Sequence, residues 1–277
     1  MTYKPKVSIV TPSYNQGKYL EETILSVLRQ DYDRVQYIVI DACSNDESQA
    51  IIEKHMSRID ICRVEPDNGQ ADAIAKGFSL ASGEILCWVN SDDILLPNAI
   101  SDYVDAFRSH KDASLVVGGA ILIDSSSSIC RTRFGFRKVF WNPGELTQSG
   151  IASKLYRFLQ PATAWRRDSF AKAGGLDTEL KFCMDRDLFI RLAGVGKAIG
   201  IPSLTALYRM HGDSKTSTIQ HIRTAEDQIL FSRYKEFTQT GYQRTLSRAI
   251  SIARNATYSV KGQFVDIPQP TKSRLLA

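Results

Sequence analysis

Two carboxylates stand side by side where an apolar run stops. Gly83-Glu84-Ile85-Leu86-Cys87-Trp88-Val89 leads straight into Asn90-Ser91-Asp92-Asp93. The run reads as a buried strand, and its polar end sets hard oxygen donors at the carboxyl edge of a sheet, where open α/β folds hold their ligands. Mg²⁺ and Mn²⁺ prefer carboxylate oxygens and commonly take one or two from the protein, with substrate phosphates completing the shell. A metal at Asp93 would then hold a diphosphate and offset the charge that builds on it as it leaves. The plain alternative is a strand ending in a polar turn, with Asp92 as N-cap of the next helix. Two further acids matter: Asp41 closes the apolar run Val35 to Ile40, and Asp185 opens a helical stretch. Carboxylates gathered on one edge repel one another unless a cation or ligand compensates. Proton removal from an incoming nucleophile needs a separate base; Asp185 is the candidate, helix N-capping its structural alternative.

The elements that must carry these groups follow from periodicity. Val7 to Pro12, Val35 to Ile40, Ile59 to Val64 and Gly83 to Val89 are strand-like. Lys18 to Arg29, a stretch from Ser44 to Met56, and Ala71 to Ala81 have helical spacing. Strand and helix alternating in this way predict a parallel sheet with crossover helices, and each strand ends in polar residues on the same edge. Further on, Ser114 to Ile123 and Ile199 to Tyr208 read as strands, and Arg131 to Phe140 as a basic-aromatic hairpin or loop. Glu145 to Phe158 reads as weakly helical. Gln160 to Arg167 reads as a strand entering a helix at Asp168, Gly174 to Asp177 as a turn, and Met184 to Ala193 as a helix. Helices are expected from Gln220 to Phe237 and from Tyr242 to Tyr258. The run Gly194 to Gly200 follows a helix instead of opening one, so it reads as a C-cap and turn, and no phosphate-binding glycine loop is found.

Composition narrows the class. The 277 residues are 43% hydrophobic and 23% charged, ordinary for a globular protein. No apolar run approaches a membrane span, the N-terminus does not read as a signal peptide, and five scattered cysteines point to a reducing, cytoplasmic setting with no zinc site. The net charge of +5 sits at the end: from Thr240 onward there are six basic residues and one acid. That argues against a nucleic-acid binder and for a local basic surface. In 242–258, Leu246, Ala249, Ile250 and Ala253 share one helical face and Arg244, Arg248 and Arg254 the other. Residues 242–274 are therefore expected to meet an anionic membrane peripherally, or else to pack on the domain with solvated arginines.

Taken in order, several short segments resemble family 2 glycosyltransferases of the GT-A fold over residues 5 to 215. They are Val7 to Asn15, Tyr37 to Asp41 with Ser44-Asn45-Asp46, Asp67-Asn68-Gly69-Gln70 with Gly77, and Asn90 to Asp93. Gly174 to Asp177, Asp185 with Asp187-Leu188, and Tyr208 to His211 complete the set. The resemblance implies a Rossmann-like, mixed and mainly parallel sheet flanked by helices. It divides the chain into a transferase domain, 1–218, and a C-terminal helical extension with a basic tail, 219–277. It implies an inverting, metal-dependent transfer from a nucleotide-diphosphate sugar, UDP-linked by preference, to a hydroxyl of a glycan or lipid-linked acceptor in surface polysaccharide assembly. Pro12, Tyr14, Asp41, Asn68, Lys76 and Asp92 would bind the nucleotide sugar, Asp93 and His211 the Mn²⁺ or Mg²⁺, and Asp185 would be the base. Trp165 would pack on a sugar or acceptor ring, or in the core. Met184 stands where many relatives have an acid before the base, and Lys76 is the nearest polar candidate where Asn or Arg is common. The rival classes are a nucleotidyltransferase, for which Ser13 to Lys18 is a poor phosphate loop, and a non-catalytic nucleotide- or sugar-binding module.

Overall fold

The expected first half is present as four short parallel strands, each followed by a helix or turn at its carboxyl end. They are β1 (Val7–Ser13), β2 (Val35–Asp41), β3 (Ile61–Val64) and β4 (Ile85–Trp88), in spatial order β3-β2-β1-β4. The computed structural model describes residues 3–131, 139–156, 158–212, 214 and 219–237. Helices α1 (Gly17–Leu28), α2 (Ser48–His55) and α3 (Gln70–Ser79) make the crossovers. Successive strand residues point to opposite faces, so Val7 and Ile9 join one core while Val10 joins the other.

The second half makes the sheet mixed. After β5 (Ile94–Leu95) and α4 (Ala99–Ser109) come β6 (Ala113–Ile123), β7 (Val139–Phe140), β8 (Gly144–Leu146) and α5 (Gln148–Ala152). Then follow β9 (Thr163–Arg166), α6 (Arg167–Lys172), α7 (Met184–Val195), β10 (Lys197–Arg209) and α8 (Gln220–Arg233). β9 lies antiparallel between β4 and β6, and β10 runs parallel to β6 with β5 antiparallel at the edge. Since β9 opposes both, β4, β6 and β10 share one direction and their carboxyl ends share one edge. One sheet face is covered by α1, α2 and α4, the other by α3, α7 and α8.

Several expectations are corrected. The stretch 145–158 is not one helix: Gly144 to Leu146 pair with Ala198 to Gly200 of β10, leaving only the short α5. Asp92 caps no helix, because β5 follows it and α4 waits until Ala99. Trp165 is fully buried, edge-on to Trp88 at 5.3 Å and to Phe78 at 5.6 Å, so it builds core and reaches no acceptor. The expected helix 242–258, the tail to 274 and most of 131–140 lie outside the described residues. No described helix is long and apolar enough to cross a membrane.

Close approach of α3 to β1 needs a glycine. A Cβ on Gly77 would come within 2.4 Å of Val10 Cγ1. Gly77→Ala is therefore expected to lower stability by ~1–3 kcal/mol, read as a lower urea midpoint with an unchanged slope, despite alanine's better helix propensity.

Candidate functional site

The carboxyl edge brings together groups from distant parts of the chain. Asp92 follows β4 and His211 follows β10, both at the same end of parallel-running strands. Their side chains meet, His211 Nε2 lying 3.0 Å from Asp92 Oδ2. The histidine ring packs on Tyr19 of α1 at a centroid distance of 4.7 Å. Asp185 is placed by another route. A turn of one residue joins α7 to β10, so α7 runs back along the sheet from the start of that strand. Asp185, Leu188, Phe189 and Leu192 fall on one helical face. Leu188 and Leu192 are buried, and Phe189 stacks on Trp88 at the end of β4. Asp185 thus continues the core-facing stripe one turn further, to the start of the helix. Cys183 is the N-cap position of α7, so Asp185 lies inside its first turn, where its Oδ1 accepts Arg186 N–H at 2.7 Å.

The two adjacent aspartates have different surroundings. Asp93 is 1% exposed. Its Oδ1 accepts Arg209 N–H at 2.9 Å, its Oδ2 accepts the Asn90 amide at 3.1 Å, and its carbonyl accepts Thr23 Oγ1–H at 2.7 Å. Burial, and after it the charge of Asp92, push the Asp93 carboxyl above its ordinary range, while the bonds from Arg209 and Asn90 pull it back. Asp93 stands inside the wall; Asp92, 19% exposed at its side chain, stands on its face.

Arg209, part of the Tyr208 to His211 segment but without a role assigned from the sequence, ties this wall together. It is 1% exposed and lies beneath Tyr19 at 4.7 Å from the ring centre. Its Nε donates to Asp92 O at 2.8 Å, its Nη1 to Asp124 O at 3.1 Å and Ser127 Oγ at 2.8 Å, and its Nη2 to Glu22 Oε2 at 2.7 Å. One guanidinium so links the Asp92 turn, the 124–128 turn and α1. Only its place two residues before His211 signals it in the sequence. Arg209→Met would strand buried Glu22, and breaking a buried pair costs ~3–5 kcal/mol. A fall of that size in unfolding free energy by urea titration is expected; a loss under ~1 kcal/mol would mean the network is slack.

The nucleotide-side candidates are spread along the edge. Pro12 is buried in β1, in register with Ile40, while Tyr14 beyond it is 61% exposed. Asp41 is wholly enclosed, its oxygens accepting Ser44 N–H at 2.8 Å and Ser44 Oγ–H at 2.7 Å. Ser44 Oγ in turn accepts Asn15 N–H at 2.9 Å, and Asp46 accepts Gly17 N–H at 2.9 Å, so the loops after β1 and β2 are laced together. In this structure Asp41 shapes a loop instead of presenting a carboxylate. Exposed Asn68 donates its backbone N–H to Asp72 at 2.9 Å, at the start of α3. Lys76 does not turn towards Asp92. Its ammonium donates to Pro66 O at 2.8 Å and pairs with Asp72 at 3.3 Å and Glu65 at 3.7 Å, because two acids on its own face of α3 and the preceding loop attract it. Gln70, not singled out from the sequence, is what joins α3 to the edge: its amide donates to Asn90 Oδ1 at 2.7 Å. Gln160 meets Asn90 from the other side, its Oε1 accepting the Asn90 amide N–H at 3.3 Å.

Known proteins give this geometry a context. The profile of Glycosyl transferase family 2 matches residues 8–173. Glycosyltransferase GlyG of Streptococcus pneumoniae serotype 4 is 36% identical over 123 residues, 43% of this chain and 40% of GlyG. The match thus spans well under half of that relative. Among solved structures, S. aureus TarS 1–349 in complex with UDP-GlcNAc superposes with a TM-score of 0.65 at 15% identity, over 95% of this chain and 76% of that one. The mannosyltransferase PcManGT from Pyrobaculum calidifontis, in complex with GDP-Man and Mn²⁺, gives 0.61 at 16% identity, over 99% and 79%. At such identities the likeness is one of fold.

Proposed function

The chain belongs to glycosyl transferase family 2 and has the GT-A fold, and from that premise we propose an inverting transfer from a nucleoside diphosphate sugar to a hydroxyl acceptor. The observation that carries this reading is the Asp92–His211 pair at the carboxyl edge of the sheet; Asp185, in the first turn of α7, is the acid assigned to the acceptor side. Residues 1–218 would hold both halves of the site, and residues 219–277 would form an extension.

The donor would lie along the carboxyl ends of β1, β2 and β4, with its base beside Tyr14 and the loop that Asp41 braces, and its ribose and diphosphate directed to Asp92. TarS and PcManGT, of like fold, are complexed with UDP-GlcNAc and GDP-Man, which supports such a donor; the uridine form is the preferred reading. The Asp92–His211 pair fits a divalent cation chemically: a carboxylate oxygen is the donor Mg²⁺ and Mn²⁺ prefer, and the imidazole adds a nitrogen. Among the described residues no cluster of three or more acidic, histidine or cysteine side chains could hold a metal. A shell begun by this pair would therefore be completed by other oxygens, as diphosphate oxygens commonly do. Such a cation would supply positive charge against the charge developing on the leaving diphosphate.

Asp185 would take the proton from the acceptor hydroxyl as that oxygen attacks the anomeric carbon from the face opposite the diphosphate. One in-line displacement inverts that centre. Asp93 and Arg209 would keep Asp92 aimed, and Gln70 and Gln160 would keep Asn90 in place between them. The acceptor class that the sequence resemblance implies is a glycan or a lipid-linked sugar in surface polysaccharide assembly; the basic residues of 242–274 would serve either to meet an anionic membrane surface there or to solvate a helix packed on the domain. A nucleotidyltransferase has no observation in its favour.

The experiment incubates the protein with Mn²⁺ and a panel of UDP- and GDP-sugars, with and without glycan acceptors. It measures nucleoside diphosphate release and, by proton NMR, the configuration of the product. Release confined to one nucleotide class with an inverted product is expected. A retained anomeric configuration would refute the single displacement, and release unaffected by chelation would remove the metal.

A further inference from the structure

The site described above ends at β10, yet the first turn of α7 is held by residues more than forty positions downstream. Glu226 of α8 is 5% exposed and sets its carboxylate against the three peptide groups that precede α7. Its Oε1 accepts Lys181 N–H at 2.6 Å, and its Oε2 accepts Phe182 N–H at 2.8 Å and Cys183 N–H at 2.7 Å. The next residue, Asp227, pairs with Arg186 Nη1 at 2.8 Å and with Lys154 Nζ at 2.7 Å. Burial works against its ionisation, but Lys154 and Arg186 hold the Asp227 carboxyl below its ordinary range. At the far end of α8, Arg233 Nη1 and Tyr234 Oη–H both donate to Asp187 Oδ1, at 2.7 and 2.8 Å. Asp187 is fully buried, and Arg191 of α7 closes its other oxygen at 2.8 Å.

The contacts have a pattern. Residues 181–183, 186 and 187 are each gripped by α8, and Asp185 stands in the middle of them. N–H groups at the start of a helix lack partners within the helix, and ordinarily water or a side chain at the cap position takes them. Here the N-cap residue Cys183 makes no side-chain cap bond, and a buried carboxylate from another helix takes the N–H groups of 181–183, the segment just ahead of the helix. Charge-assisted bonds to a buried anion are short and directional, so three of them fix the backbone leading into α7 far more tightly than hydration would. Apolar packing adds to this grip, from Met184 at the first position of α7 through Leu188, Phe189 and Leu192.

Resting on Asp185 as the base, we infer that α8 is part of the catalytic apparatus: Glu226 is a positioning residue that clamps the entry of α7, so that the Asp185 carboxylate is held at the acceptor. A base must lie within hydrogen-bond reach of its proton, and misplacement by ~1 Å costs on the order of 10²-fold in rate. The donor side, carried by β1, β2, β4 and the Asp92–His211 pair, makes none of these contacts with α8. Loosening the clamp is therefore expected to slow turnover while leaving donor binding alone.

The test compares the full chain with Glu226→Gln and Asp185→Asn, using whichever UDP- or GDP-sugar turns over and, for binding, UDP with Mn²⁺. Glutamine keeps the volume but offers one acceptor oxygen in place of two and turns an NH₂ group toward backbone donors. The expected result is a kcat lower by ~10-fold or more with KM for the donor and Kd for UDP within about twofold of wild type. Amide hydrogen exchange at 181–183 should quicken by a similar factor. A wild-type kcat in folded Glu226→Gln, or a kcat loss matched by weaker UDP binding, would overturn the inference, the second marking a purely structural role. Should Glu226→Gln show no cooperative melt, Asp227→Asn frees Arg186 while keeping Glu226. A severalfold lower kcat at constant KM supports the clamp, and wild-type kcat overturns it. If Asp185→Asn itself turns over normally, the base assignment fails; if it is dead while Glu226→Gln is unimpaired, the clamp alone fails.

Discussion

Asp185→Asn is expected to lower kcat by ~10²–10⁴-fold, the usual worth of a positioned general base, with UDP affinity nearly unchanged. The substitution keeps size and the acceptor bond from Arg186 N–H, because the amide oxygen can take the place of Oδ1. What it removes is the capacity to accept a proton. Asp185 lies in the first turn of α7, whose axis dipole favours a negative charge there, and it lies apart from the Asp92–His211 pair, which follows β4 and β10. A loss confined to kcat would therefore locate the defect in the chemical step. Wild-type turnover would remove Asp185 from the mechanism.

The second large effect separates two neighbours in sequence. Asp92→Asn is expected to abolish the Mn²⁺-dependent part of UDP stabilisation in thermal melts. It should weaken Mn²⁺ binding by at least ~100-fold, since outer partners of metal ligands alone are worth 10–100-fold. Asp93→Asn should do the converse. Arg209 N–H can still donate to the remaining oxygen, but an NH₂ group would then face the Asn90 amide. The melting temperature should fall while the Mn²⁺ dependence of UDP binding persists. Equal loss of Mn²⁺ response in both variants, at matched stability, would show that the buried carboxylate turns outward when the donor binds.

That pair also shows where sequence reasoning stops. The strand ending in Asn90-Ser91-Asp92-Asp93 is legible because a saturated apolar run needs a buried strand, and its carboxyl edge follows from the alternation of strands with crossover helices. Which of two adjacent acids faces outward is not legible. It depends on the backbone of the turn and on a donor 116 positions away, Arg209 N–H. Lys76 is a similar case: a basic residue in the right segment is drawn off by Glu65 and Asp72, an arrangement set by how α3 meets the loop after β3.

The order of short segments along residues 5 to 215 determined, by itself, the family and the α/β architecture, with its polar carboxyl edge. Local apolar patterning and the residue types at strand ends are properties of the chain that survive without knowledge of contacts. The tertiary structure alone decided that Asp92 and not Asp93 meets His211, that Trp165 is core, and that Glu226 and Asp187 bind α8 to the entry of α7. Each of these is a pairing across dozens of residues, made by single directional hydrogen bonds or by close packing. Such partners have no fixed spacing along the chain, so only the folded geometry names them.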